Sequence, residues 1–150
     1  MTPEQKKVLD RLEAQCSKRE YCTEDVRIKA LKALEGDQAA ASEVVDSLLR
    51  DGYVDDLRYA GAFAREKASL TGWGPVKIRY ALRAKRIASE TIEDALSEID
   101  SDKATEKLVR LLDAKRRSLE GDPQIKLKLI KFALSRGYEY DDVKDYISIH

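Results

Sequence analysis

A chain of 150 residues in which 28 Lys and Arg balance 28 Asp and Glu has no formal net charge, which excludes a protein that coats nucleic acid through bulk positive charge. Its 43% hydrophobic content is enough for a folded core, while no run of about eighteen apolar residues is present to span a membrane. Met1-Thr2-Pro3-Glu4-Gln5-Lys6-Lys7 lacks the apolar stretch of a signal peptide, so the expectation is a cytoplasmic protein without membrane contact. Cys16 and Cys22 have no histidine nearby and fit neither zinc spacing nor a redox Cys-x-x-Cys pair; they read as reduced structural thiols. The lone histidine, His150, ends the sequence, so a Ser/His/Asp or Cys/His arrangement would have to recruit it. No enzyme, metal or cofactor is expected.

Helix signals dominate from the start. Thr2 is placed to cap, Pro3 suits a first helical position, and Gln5 is positioned to complete a capping box; Val8, Leu9, Leu12 and Cys16 then share one face. Tyr21-Cys22-Thr23-Glu24 is a turn opening a second helix. Asp55-Asp56 favours a helix N-terminus and leads into Leu57, Ala60, Phe63 and Ala64 at helical spacing. Gly72-Trp73-Gly74-Pro75 opens the next helix, with Ile78, Ala81 and Leu82 on one face and Lys77, Arg79, Arg83 and Arg86 mostly off it. After Ser101-Asp102, the third long helix carries Leu108, Leu111 and Leu112. Gly121-Asp122-Pro123 precedes Ile125 to Leu129, whose apolar-basic alternation imitates a strand. The longer window of Ile125, Leu129, Phe132 and Ala133 follows the i, i+4, i+7, i+8 spacing of a helix and decides the matter.

Long helices starting about fifty residues apart point to an internal repeat. Ile87 to Leu96 matches Tyr138 to Ile147, with apolar residues at the first, sixth and tenth places of both. Val76-Lys77-Ile78-Arg79 resembles Ile125-Lys126-Leu127-Lys128, and both echo Val26-Arg27-Ile28-Lys29. The predicted fold is all-α, an elongated array of three tandem three-helix repeats at residues 1–52, 53–99 and 100–150, since a unit this small buries little alone and has to share its core. Charge repeats as well: middle helices are basic and third helices acidic. Lys77, Arg79, Arg83, Lys85 and Arg86 form an unopposed row continued by Lys126, Lys128, Lys131 and Arg136, with Lys115, Arg116 and Arg117 as an extension. These bases are the candidate partner-binding residues, directed at an acidic protein surface or DNA phosphate. The competing reading is a solvated face balanced by the acidic helices.

Other motifs resolve structurally. Gly72-Trp73-Gly74 is no phosphate loop: no G-x-x-x-x-G-K-[ST] is present, and Lys77 stands where G-x-G-x-x-G needs glycine. The glycines permit a sharp turn, Pro75 starts a helix, and Trp73 packs between units. Asp55 and Asp56 lack a third ligand or histidine partner and read as helix-capping carboxylates. Tyr59, Phe63 and Tyr80 read as core or inter-unit contacts rather than base-stacking platforms.

Taken together, the residues resemble the RecX family of RecA modulators. Gly52-Tyr53-Val54-Asp55-Asp56 with Tyr59-Ala60 and Phe63 is similar to that family's G-x-hydrophobic-D-D-x-x-Y-A-x-x-F signature, and Gly72-x-Gly74, Ile78, Leu82, Lys85 and Ile87 to its G-x-G-x-x-x-I-x-x-x-L-x-x-K-G-I. Arg19-x-Tyr21-Cys22 and Arg136-Gly137-Tyr138 resemble shorter family turns. Arg86 departs from the pattern's glycine, and Cys22 stands where serine would cap. The resemblance implies a monomeric, non-catalytic protein that binds the RecA recombinase filament, with the single-stranded DNA inside it, and restrains ATP hydrolysis and strand exchange. A rival expectation is a helix-turn-helix protein reading duplex DNA directly.

Overall fold

The structure, a computed structural model, describes residues 1–147, so His150 lies outside the described residues. These form nine α-helices and no strand: α1 (Pro3–Cys16), α2 (Thr23–Ala33), α3 (Gln38–Arg50), α4 (Asp56–Glu66), α5 (Pro75–Ala84), α6 (Ser89–Ser97), α7 (Ser101–Ser118), α8 (Ile125–Ser135) and α9 (Tyr140–Ile147), with a π turn over Lys67–Thr71 prolonging α4. The all-α expectation holds, and the ambiguous segment 125–129 is helical, with Leu129 and Ala133 fully buried. Capping follows the sequence: Thr2 and Gln5 bond reciprocally across the first turn of α1, and Pro occupies the first position of both α1 and α5. Asp37, Asp55 and Asp100 cap α3, α4 and α7.

Apolar residues gather in three clusters, one for each helix triplet. Val8, Leu12, Val26, Val44 and Leu48 make the first, Ala60, Ala64, Ile78, Leu82 and Ile92 the second, and Leu108, Leu112, Leu129, Val143 and Ile147 the third. Each fully buried Leu or Ile among them contributes about 1.5–3 kcal/mol relative to exposure. The clusters interlock along the chain: Cys22, ahead of α2, is fully buried in the second, whereas Val54, ahead of α4, belongs to the first.

Burial also sets the repeat register. An offset of 51 residues superimposes buried Ile78, Leu82 and Ile92 on buried Leu129, Ala133 and Val143, and an offset of 52 superimposes Val26 and Ala30 on Ile78 and Leu82. The sequence match of Ile87–Leu96 to Tyr138–Ile147 keeps this offset. The match of Val76-Lys77-Ile78-Arg79 to Ile125-Lys126-Leu127-Lys128 is two residues out of step with it, because Val76 and Leu127 are exposed while Ile78 is buried. Apolar-basic alternation offers two equivalent registers on paper, and only burial separates them.

The middle helices α8, α5 and α2 meet end to end. At the α8–α5 contact the Gly74 N–H donates to the Arg136 carbonyl at 2.7 Å and the Val76 N–H to the Gly137 carbonyl at 2.9 Å, so free amides at the start of one helix meet free carbonyls at the end of another. Backbone touches backbone there: a Cβ on Gly74 would lie 2.3 Å from the Gly137 oxygen. At the α5–α2 contact, side chains do the joining. Lys85 bonds Asp25 at 2.7 Å, Arg86 approaches Glu24 at 3.9 Å, and nearby Arg58 of α4 pairs with Glu20 at 2.5 Å.

Asp56 does not cap its own helix. Its Oδ1 accepts from the Thr23 N–H at 2.7 Å and the Thr23 hydroxyl at 3.0 Å, closing the start of α2 from the neighbouring triplet.

Candidate functional site

The nine bases singled out in the sequence fall into four groups by what they touch. Arg136 is internal: its Nη2 donates to the Thr71 carbonyl and its backbone carbonyl receives Gly74, so it holds the α8–α5 contact. Lys85 and Arg86 lie at the α5–α2 contact. Burial pushes the Asp25 carboxyl up, but the Lys85 ammonium and the Cys22 N–H outweigh it and hold the carboxyl below its usual range. Lys77 rests over the Trp73 ring, 4.6 Å from its centroid, while Arg79 pairs bidentately with Glu93 at 2.8 and 3.2 Å and Lys128 bonds Asp122 at 2.5 Å. The Arg79 guanidinium holds the Glu93 carboxyl below its ordinary value.

The fourth group is Arg83, Lys126 and Lys131, which are exposed and have no direct ion-pair partner among the described residues. The row is therefore opposed along much of its length, by Glu93 of α6, by Glu24 and Asp25 of α2, and by Asp122 in the turn ahead of α8. The extension is engaged as well: Arg116 bonds Asp113 at 2.7 Å and the Tyr146 carbonyl at 2.6 Å, and Lys115 lies over the Phe132 ring.

The aromatic residues divide. Tyr59 stacks on Phe63, whose ring meets Trp73 edge-on, their centroids 6.1 and 6.0 Å apart, all three packing on the second cluster. Tyr80 does not join them; it is 78% exposed on α5. Its partner at the 51-residue offset, Lys131, is exposed too, and that register is the sequence signal that would have placed Tyr80 outside. Val76 on α5 and Leu127 and Leu134 on α8 are also exposed. Leu57, expected on the packed face of α4, is 40% exposed.

A cleft of about 570 Å³ lies between the second and third triplets, walled by Trp73, Ile78, Leu96, Leu108 and Tyr138. No group of three or more His, Cys, Asp or Glu among the described residues is arranged to hold a metal. Burial pushes the Cys22 thiol up to about 11, which keeps it protonated and unreactive at neutral pH. No described helix is long and apolar enough to cross a membrane.

Against known proteins, residues 55–96 match the description of the second three-helix domain of RecX. The chain is 36% identical over 115 residues to a "Regulatory protein RecX" of Clostridium botulinum (strain Eklund 17B), covering 74% of this chain and 53% of that protein. It is 33% identical over 116 residues to a protein of the same name from Bacillus mycoides, covering 76% and 43%. The chain thus spans about half the length of the curated relatives it matches. Among solved structures, a crystal structure of RecX from Lactobacillus salivarius superimposes with a TM-score of 0.83 at 24% identity, covering 98% of this chain and 96% of the other. A second, of a regulatory protein RecX, gives 0.81 at 24% identity over 95% and 72%.

Proposed function

Because the chain belongs to the RecX family of regulatory proteins, we propose that it is a non-catalytic, monomeric, cytoplasmic regulator that binds the RecA filament on single-stranded DNA and restrains its ATPase and strand exchange. Its working units are three repeats, at residues 1–52, 53–99 and 100–150, joined through their middle helices. The observation that carries this reading is that α5 and α8, basic and without a single acid, are joined end to end and expose Arg83, Lys126 and Lys131. Exposed bases spaced along a line of joined helices suit an acidic, repeating surface, and their charge would speed encounter and fix orientation. Lys77, Arg79, Lys85, Lys128 and Arg136 support this line by fixing the helices that present it, while Arg86 adds only a long, exposed contact to Glu24.

The test is RecA ATPase on single-stranded DNA titrated with the protein. Inhibition at substoichiometric to equimolar amounts is expected. The charge reversals Arg83→Glu, Lys126→Glu and Lys131→Glu together should raise the half-inhibiting concentration about tenfold at low salt, with the helical circular dichroism signal unchanged. An undiminished effect in the folded variant would remove these bases from the contact. Sequence-dependent binding to duplex DNA without RecA would replace the reading with the rival one.

A further inference from the structure

The acidic helices α6 and α9 have no part in the proposed contact, and both border the cleft between the second and third triplets. The wall of that cleft is apolar and incompletely covered. Trp73, Leu96 and Ile99 pack against the second cluster only in part, and Tyr146 of α9 is 40% exposed beside them. The volume, about 570 Å³, lies in the range of about 300–1,000 Å³ that receives bulky groups. Tyr138, in the same wall, carries a hydroxyl that is buried and meets no partner among the described residues, so it gains from a hydrogen-bonding atom brought beside it. The charge around this wall is predominantly negative. Residues 88–102, which supply Glu93, Leu96, Ser97, Ile99 and Ser101 to it, include six acids and no base. Asp142 of α9 adds a carboxylate that has no direct ion-pair partner among the described residues; its Oδ2 accepts from the Glu139 N–H at 3.1 Å. The base that lines the cleft, Arg79, is already bonded by Glu93, and Glu139 and Asp142 act on it from further off. Lys67 and Lys77 lie over the Trp73 ring without lining the cleft, and Arg83 acts on Glu93 only at longer range.

An apolar wall left open to solvent and rimmed by polar groups marks an interaction surface, and a surplus of carboxylates selects a partner of opposite sign. We propose that this cleft docks a basic chain segment of another protein, with a bulky apolar side chain seated against Trp73, Leu96 and Ile99 and flanking ammonium or guanidinium groups met by Asp142 and the carboxylates of residues 88–102. The apolar anchor supplies most of the affinity, because it is the part that becomes fully desolvated. The carboxylates at the rim set the sign of the partner and its rate of encounter. This site takes a partner of opposite charge to the one that the exposed bases of α5 and α8 attract, and it stands independently of the RecA reading.

The test is isothermal titration calorimetry on the intact chain, with the end-blocked peptide Lys-Lys-Phe-Leu-Lys-Lys as probe and Lys-Lys-Ser-Ser-Lys-Lys and Glu-Glu-Phe-Leu-Glu-Glu as controls. The probe should bind at least tenfold more tightly than either control. Two substitutions locate the site. Ser101→Trp, at an exposed position bordering the cleft, should crowd the anchor and weaken binding at least tenfold. Asp142→Asn keeps the oxygen that accepts from Glu139 and removes only the charge; it should weaken binding about threefold at low salt, with the difference from the parent gone in about 0.5 M salt, where charge contacts are screened. Both variants should keep the helical circular dichroism signal and melting temperature of the parent. No binding of the probe, equal binding of all three peptides, tighter binding of the acidic peptide, or undiminished binding by both folded variants would overturn the proposal. Light scattering that shows the intact chain self-associating, and Ser101→Trp not, would overturn it in favour of a second copy as occupant.

Discussion

Arg86 follows the last turn of α5 at φ +58°, in the left-handed region where a side chain's Cβ crowds the next carbonyl at a cost of about 1–2 kcal/mol. The equivalent residue after α8 is Gly137, at φ +95°, which meets the same requirement without that crowding. So the turn that the missing glycine put in question does form, under strain. The compensation is slight: the guanidinium sits 3.9 Å from Glu24 and its side chain is 76% exposed, and such a pair contributes well under about 1 kcal/mol. Arg86→Gly should therefore raise stability by about 0.5–1 kcal/mol, part of the relief being offset by glycine's greater freedom in the unfolded chain; the midpoint of urea denaturation measures it.

At the level of elements, the glycines separate contact from conformation. Gly74 has an ordinary φ of −84°, yet an added Cβ would meet the Gly137 carbonyl oxygen at 2.3 Å and carbon at 2.5 Å, backbone atoms that cannot swing aside. Gly52 has φ +76° and nothing within 4 Å. Gly74→Ala should cost about 2 kcal/mol or more by forcing α5 from α8, and should speed amide exchange at Val76; Gly52→Ala should cost about 1 kcal/mol and leave that amide protected. The helices themselves were legible because apolar residues recur every three or four places over windows long enough to outvote the alternation at 125–129. Less was legible at the candidate site. A carboxylate such as Asp56 announces a helix start but not whose, Tyr80 could be set inside or outside until burial fixed the register, and the ion pairs of Arg79 and Lys85 join residues 14 and 60 places apart. Nothing in Lys67-Ala68-Ser69-Leu70-Thr71 distinguishes a π turn from the α-helix it prolongs.

For the molecule as a whole, the two contacts along the line of middle helices differ in kind. The α8–α5 contact is made of backbone hydrogen bonds, which do not titrate. The α5–α2 contact depends on Asp25 and Glu24, whose carboxyls are held below their ordinary values by their basic partners, so it responds to pH. Asp25 has a folded pKa below its ordinary value, so the folded state binds fewer protons than the unfolded one; the stability this contributes is present above about pH 4 and is lost as pH falls through the lowered value. Asp25→Asn should cost about 1 kcal/mol at pH 7. The gap to the parent should close as the pH falls from about 4 through the lowered value, as followed by thermal melts across that range. A parent and variant that stayed equally far apart in acid would show that Asp25 acts by packing rather than by charge.

The chain contains a single tryptophan, and it stands where the second triplet turns toward the third, its ring beneath the ammonium groups of Lys67 and Lys77 at 4.8 and 4.6 Å. Indole emission follows the polarity and charge around the ring, so the protein carries its own optical gauge of that one joint. A change in its emission therefore reports a rearrangement within reach of position 73, where the second and third triplets meet.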